Sequence, residues 1–230
     1  FANLADEFGE HSLCELAGPA ASLTLRSIVP GHFIAPRLAA ADSLILFSAT
    51  LHPTDYYTNL LGLPDATQRT DVPSPFASGQ LAVRHQPISP RRADPHPTRD
   101  AQVDAQAEPF VRPRGHNQAV ISGIGFAVLG GVFGEGVDLP GTRLIGAFIA
   151  TLGLPQFDEV NQAICQRMQA RFGRGYDYTY VYPGLQKVVQ AAGRVIRTQT
   201  DTGTVLLMDE RYREYRYRQL LPDWWKLELD

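Results

Sequence analysis

Three short segments of this 230-residue chain combine residue types that could do chemistry. The first is Gln190-Ala-Ala-Gly193-Arg194-Val-Ile-Arg197. A helix from Pro183 to about Arg197, turning about 100° per residue, would place Leu185, Val188, Val189, Ala192, Val195 and Ile196 on one side. Gln186, Gln190, Arg194 and Arg197 would share the other side, in a stripe that holds no carboxylate. Guanidiniums a turn apart repel, so a site that keeps both wants an anion between them, and their planar donors suit phosphate. Gly193 costs about 1 kcal/mol against alanine inside a helix. That cost makes sense where something approaches the backbone closely. The alternative is an ordinary solvated helix face.

The second segment, Phe133-Gly-Glu135-Gly136-Val-Asp138-Leu-Pro-Gly141, follows an apolar run ending at Leu129. Ligands of open α/β sheets bind at the carboxyl ends of strands, where a glycine-rich loop exposes backbone N–H groups. Glu135 and Asp138 add acceptors for a hydroxyl or a cation. The stretch does not match GxGxxG, and a plain turn is the alternative. The third segment, Phe47-Ser48-Ala49-Thr50-Leu51, puts two hydroxyls at the end of an apolar run. Capping of the following helix is its alternative. A fourth stretch, Val205 to Glu210, looks like a strand ending in the acidic pair that holds magnesium in P-loop NTPases. GxxxxGK[ST] is absent, since neither Lys187 nor Lys226 follows a glycine. Asp209-Glu210 therefore reads as a strand-to-helix junction. GxSxG and HExxH are also absent.

The elements that must position these residues alternate. Apolar runs bounded by turn residues predict strands at 44–47, 81–83, 124–129, 144–149 and 204–208. Helical patterns predict helices at 53–61, 183–197 and 210–221. A further helix at 158–172 has Val160, Ile164, Met168 and Phe172 four apart, Asp158 as its cap and Gly173 as its stop. Such alternation implies an α/β fold with a mostly parallel sheet covered by helices on both faces. From Pro87 to Gln118 there are six prolines and five arginines, which reads as a linker or disordered insert.

Hydrophobic residues make up 44% and charged residues 20%, as in an ordinary globular protein. No apolar run approaches the roughly 18 residues of a membrane span, and the N-terminus shows no signal-peptide pattern. The chain begins at Phe1 rather than Met, which suggests an excised chain or a fragment. Cys14 and Cys165 form no metal or disulfide framework and fit a reducing cytoplasm. The six histidines show no ligand spacing and read as surface or loop residues. Net charge is −3, but Thr151 to Pro222 carries ten basic and seven acidic residues against eleven and seventeen elsewhere. The last third is thus locally basic, and almost entirely through arginine.

Taken in order, Ser48-Ala-Thr50-Leu51, Glu135-Gly-Val-Asp138-Leu-Pro-Gly141 and Gln190 to Arg197 resemble motifs III, V and VI of the XPD-like helicases of superfamily two. The likeness is greatest to the bacterial DinG/YoaA-type branch. Asp71 to Phe76, Gly146 to Gln156 and Gly175 to Val189 add to it, so that it covers roughly residues 20–86 and 120–215. The resemblance implies a RecA-like C-terminal motor domain, made of residues 1–86 and 119–230 around the 87–118 insert. That domain is incomplete, because the insert stands where family members carry a strand, helices and motif IV. It further implies ATP with Mg2+ held mainly by a P-loop motor domain absent here, in cis or in trans. The family iron–sulfur cluster belongs to that absent part. Arg194 and Arg197 would act as arginine fingers, Gln190 would meet the γ-phosphate or its water, and Gly193 would permit close approach. Glu135, Gly136 and Asp138 would link nucleotide to DNA, and Ser48 and Thr50 would couple hydrolysis to strand movement. Tyr176, Tyr178 and Tyr180 would stack on bases or pack in a core. The implied partners are single-stranded DNA or DNA forks, with no membrane. A single-stranded nucleic-acid-binding module and an inactive helicase remnant are the alternatives.

Overall fold

The computed structural model describes residues 6–18, 22–88, 123–131, 139 and 141–229. They form two compact units, Phe1–Val72 with Leu154–Pro183, and Pro73–Gly153 with Gly184–Asp230.

The first unit opens with an antiparallel hairpin of β1 (Ser12–Ala17) and β2 (Ser22–Ser27), with Ser12 opposite Ser27. Helices α1 (Gly31–Ala39) and α2 (Thr54–Leu61) follow. They meet at Gly31, where an added Cβ would lie 2.7 Å from the Gly62 nitrogen, so only glycine fits. Helix α3 (Glu159–Phe172) has the predicted ends. The Asp158 side chain accepts from the Asn161 N–H at 2.7 Å, and Gly173 closes the helix at φ 71°. A π-helical turn, Asp177–Val181, comes next, with Tyr178, Thr179, Tyr180 and Val181 all buried.

The second unit is built on a four-stranded parallel sheet, as the alternation predicts. Its strands β3 (Leu81–His85), β4 (Gly146–Ile149), β5 (Gly203–Leu207) and β6 (Leu227–Leu229) lie in the order β4-β5-β3-β6. Val83 pairs with Val205 on one side and Leu227 on the other. Val83, Val205 and Leu207 are wholly buried, as apolar strands of a parallel sheet should be. Helix α4 (Tyr182–Ala192) follows directly on the π-helical turn and buries Leu185, Val188 and Ala192.

Several expectations need correction. The segments 44–47 and 124–129 are not strands. Among the described residues nothing pairs with them, and Ile45, Phe47 and Val128 are at least 80% exposed. The helix from Pro183 stops at Ala192 instead of reaching Arg197. The helix expected over 210–221 is a 3-10 turn, Glu210–Arg213, and a short α5, Tyr215–Arg218, separated by extended Glu214. The residues buried there are Tyr212, Tyr217 and Leu221, and the five-residue step from Tyr212 to Tyr217 does not fit one α-helical face. His85 is not a surface residue. It sits fully buried in an inner strand, with Nε2 donating to the Asp209 carbonyl at 3.0 Å. His11 is also buried, stacked on His32 with ring centroids 3.8 Å apart. Of the proline- and arginine-rich stretch, only Pro87 and Ile88 fall among the described residues.

Candidate nucleotide-phosphate site

The Gln190–Arg197 segment lies in the second unit. Helix α4 buries its Leu185, Val188 and Ala192 face, and this turns Gln190 outward. Its last α-type bond runs from the Gly193 N–H to the Val189 carbonyl at 2.9 Å. Arg194 and Val195 then donate three residues back, to Ala191 and Ala192, which tightens and ends the helix. Arg194 and Arg197 therefore do not share a helical face. They flank a turn whose middle, Val195 and Ile196, is 2% and 3% exposed. Burying each such side chain is worth about 1.5–3 kcal/mol, so the turn is anchored from within. A Cβ on Gly193 would meet only the carbonyl oxygens of Val189 and Gln190, at 3.1 and 3.6 Å. Gly193 itself is exposed.

Four residues without a place in the sequence motifs, Gln80, Thr198, Asp201 and Gly203, fix the far side of this turn. Asp201 Oδ2 accepts from the backbone N–H groups of Arg197 and Thr198, both at 2.8 Å. Its Oδ1 accepts from the Thr198 hydroxyl at 2.8 Å. The Thr198 hydroxyl, then the two N–H groups, hold the Asp201 carboxyl below its usual range. Gln80, just before β3, donates its amide to the carbonyls of Gln199 and Asp201, each at 2.9 Å. Gly203 leaves room for Val195: an added Cβ would fall 2.2 Å from Val195 Cγ1 and 2.9 Å from the Ile145 oxygen. The signal available in the sequence is the Thr198-x-x-Asp201-x-Gly203 spacing, whose residue types favour hydrogen-bonded turns.

Ser48 and Thr50 lie in the first unit. Their hydroxyls are 3.3 Å apart, and the Thr50 N–H donates to Ser48 Oγ at 3.2 Å. Tyr57 donates to the Thr50 carbonyl at 2.5 Å. Neither hydroxyl caps α2, whose N-cap is Pro53 with no side-chain bond, so the capping alternative fails. Glu135, Gly136 and Asp138 lie outside the described residues.

Tyr178 and Tyr180 are core residues, 4% and 2% exposed, and burial pushes both phenols up. Tyr176 is 43% exposed, and its ring centroid lies 5.2 Å from that of Tyr180. Asp209 is fully buried and gripped by Arg211 through bonds of 2.7 and 2.8 Å. It also caps the 3-10 turn after β5, which is the expected junction. Among the described residues no cluster of three or more His, Cys, Asp or Glu could hold a metal ion, and no helix is long and apolar enough to cross a membrane.

This arrangement can present guanidinium donors from a rigid turn at a helix end. Among the described residues it carries no phosphate-cradling loop of its own. Comparison with known proteins gives it context. The ATP-dependent DNA helicase DinG of Photobacterium profundum is 34% identical over 95 residues, covering 40% of this chain and 14% of that protein. The ATP-dependent helicase DinG of Mycobacterium tuberculosis is 32% identical over 97 residues, with 40% and 15% covered. The chain thus spans about a seventh of the length of these relatives. A solved XPD helicase structure superposes on all of this chain and on 50% of its own, with a TM-score of 0.63 at 15% identity. That likeness shows an XPD-like, RecA-type α/β fold. The family model for the helicase C-terminal domain matches residues 95–228, more than half of the sequence and all of Gln190–Arg197. The chain belongs to the helicase C-terminal domain family.

Proposed function

We propose that this chain is the C-terminal motor part of an ATP-dependent DNA helicase, completing a nucleotide site whose P-loop lies on another motor domain. The observation that carries this reading is the turn after α4. Buried Val195 and Ile196 and the Asp201 carboxylate hold its backbone while Arg194 and Arg197 flank it. A guanidinium on a pre-ordered backbone can meet developing phosphate charge without reorganising at the moment of reaction. Arg194 and Arg197 reach the triphosphate oxygens, and Gln190 orients the γ-phosphate or its attacking water. Exposed Gly193 lets the nucleotide come close to the helix end. Guanidinium and amide donors suit a triphosphate, whereas Mg2+ finds no cluster of ligands among the described residues. In this reading the metal and most of the ATP contacts belong to the P-loop domain. We assign Glu135, Gly136 and Asp138 to the link between nucleotide and DNA, and Ser48 and Thr50 to coupling of hydrolysis to strand movement. Single-stranded DNA is the substrate in this reading.

The test is ATP hydrolysis by this chain combined with a P-loop motor half and single-stranded DNA. The chain alone gives no turnover. In the pair, Arg194→Ala or Arg197→Ala lowers kcat by about 10³-fold or more, the scale of an arginine finger. An unchanged kcat for Arg197→Ala removes the finger assignment.

A further inference from the structure

Lys187 is a basic residue that the reading above leaves unused. Lysine and arginine together number 21, and only Lys187 and Lys226 are lysine, so lysine here is not the default of the composition. Lys187 stands on α4 three residues before Gln190, about 60° from it round the helix. Both fall outside the buried arc of Leu185, Val188 and Ala192. No residue between Tyr182 and Thr200 is a carboxylate.

The side chain does not run straight out into water. It lies along the Val128–Gly131 turn, which the Gly131 N–H closes on the Val128 carbonyl at 2.9 Å. A Cβ on Gly130 would fall 3.2 Å from Lys187 Cδ, 3.3 Å from Cε and 3.5 Å from Nζ. Gly130 has φ 80°, where a side chain is strained as well. Leu129 seats the same turn beside the start of α4: a Cβ on Gly153 would fall 2.7 Å from Leu129 Cδ2 and 2.8 Å from the Gly184 oxygen. All these residues belong to the second unit. The half-buried lysine stem is thus laid on a packed backbone, and its ammonium is held in one place.

The charge is also handled differently from others in the chain. Arg26, Arg69, Arg174 and Arg211 each have a carboxylate oxygen at 2.5 to 2.8 Å. Among the described residues no carboxylate pairs with Lys187. An ammonium held in place with no acid beside it suits an anion from outside the chain, and lysine binds phosphate as a point charge. A phosphate has oxygens enough to accept from Lys187 Nζ and from the Gln190 amide a turn away. We propose that Lys187 is a further contact for the triphosphate: its ammonium, laid along the Gly130–Gly131 turn, bonds a phosphate oxygen on the Gln190 side of α4. This contact rests on the nucleotide site proposed above. It adds binding to that site, whereas the arginines act on the charge that develops during reaction.

The experiment uses the full chain with its two lysines carrying isotope-labelled methyl groups, which keep the charge. Lys226 is exposed and serves as the internal reference. Inorganic tripolyphosphate at constant ionic strength should move the Lys187 methyl resonance saturably, with a dissociation constant on the order of 1 mM, and leave Lys226 in place. Lys187→Met keeps an unbranched stem on Gly130 and removes the charge. Its affinity for tripolyphosphate, read by phosphorus NMR, should fall about tenfold, the worth of one charge-assisted hydrogen bond. With a P-loop motor half and single-stranded DNA, Lys187→Met should lower kcat/KM for ATP about three- to tenfold, chiefly through KM. A Lys187 resonance that does not saturate, or that moves only together with Lys226, overturns the proposal. So does a Lys187 that responds to a thymidine oligonucleotide and not to tripolyphosphate, and so does Lys187→Met binding tripolyphosphate as tightly as the parent chain. The two readings fail separately. A silent Lys187 with Arg197→Ala still lowering kcat removes only this contact. A responsive Lys187 with kcat unchanged in Arg197→Ala removes only the finger.

Discussion

Two apolar stretches next to motif side chains meet opposite fates. Val195 and Ile196, between Arg194 and Arg197, are 2% and 3% exposed. Leu44, Ile45, Leu46 and Phe47, leading to Ser48 and Thr50, are 50%, 84%, 43% and 91% exposed. Both read as buried in the sequence, and hydrophobicity does not separate them. What separates them is the neighbour. Val195 packs on Gly203 at the start of β5, and Asp201 and Gln80 hold the backbone that follows. The 44–47 run has no ladder partner among the described residues, and the Ser48–Thr50 turn is held by its own hydroxyls and by Tyr57. The arginine-bearing turn is thus stabilised by its own unit. The hydroxyl-bearing turn depends on local turn chemistry.

The largest effect on stability should come from emptying the anchored side. Ile196→Ala should destabilise the second unit by about 2–5 kcal/mol, the range for truncating a buried aliphatic residue. Trp224 and Trp225 both lie in that unit, and Trp225 is 7% exposed, so fluorescence-detected urea unfolding reads the loss. A change below about 0.5 kcal/mol, the level of a surface substitution, would falsify the view that burial anchors this turn.

A smaller effect tests the polar half of the same anchor. The Asp201 carboxyl is held below its ordinary value of 3.8 by the Thr198 hydroxyl and by the N–H groups of Arg197 and Thr198. A depressed carboxyl contributes stability above its unfolded value and loses that stability as pH falls through the folded one. This contribution is therefore complete at neutral pH and disappears only at acid pH below 3.8. Asp201→Asn should remove that part of the acid-side slope. At neutral pH it should speed hydrogen exchange at the Arg197 and Thr198 amides several-fold, with little change in β3 or β5. Equal protection in both proteins would mean that the carboxylate charge does not order the turn.

The same contrast explains how much is legible in the sequence. Helix α3 is readable to its ends because its cap, Asp158, and its stop, Gly173, are local signals. Strands β3, β4 and β5 are readable because each carries a short apolar run bounded by turn residues, although β3 buries only one face and leaves Ala82 and Arg84 exposed. Helix α4 reads too long: Val195 and Ile196 keep a helical spacing from Ala192, but they are buried by a turn beyond Gly193. The hairpin escapes a sequence reading because Ser12–Ala17 is rich in leucine, glutamate and alanine, which favour helix, and its strand form comes from pairing with Ser22–Ser27. The residues proposed to face phosphate are legible as a pattern. Their support is not, since Gln80 meets Asp201 across 121 positions of sequence.

The smallest expected effect is the most discriminating. Phe47 is 91% exposed, nearly as open as in an unfolded chain. Phe47→Ser removes apolar surface that folding does not bury, so the transfer free energy cancels between the folded and unfolded states. Stability should change by no more than about 0.5 kcal/mol, as for other surface positions, and circular dichroism during thermal unfolding should show the same midpoint. Ile45→Thr, at a position 84% exposed, should behave the same way. A loss approaching that of Ile196→Ala would mean that the 44–47 run is buried in solution. Leu44 to Phe47 would then pack as a strand, as their composition predicts, and the Ser48–Thr50 turn would be anchored as firmly as the turn that carries the arginines.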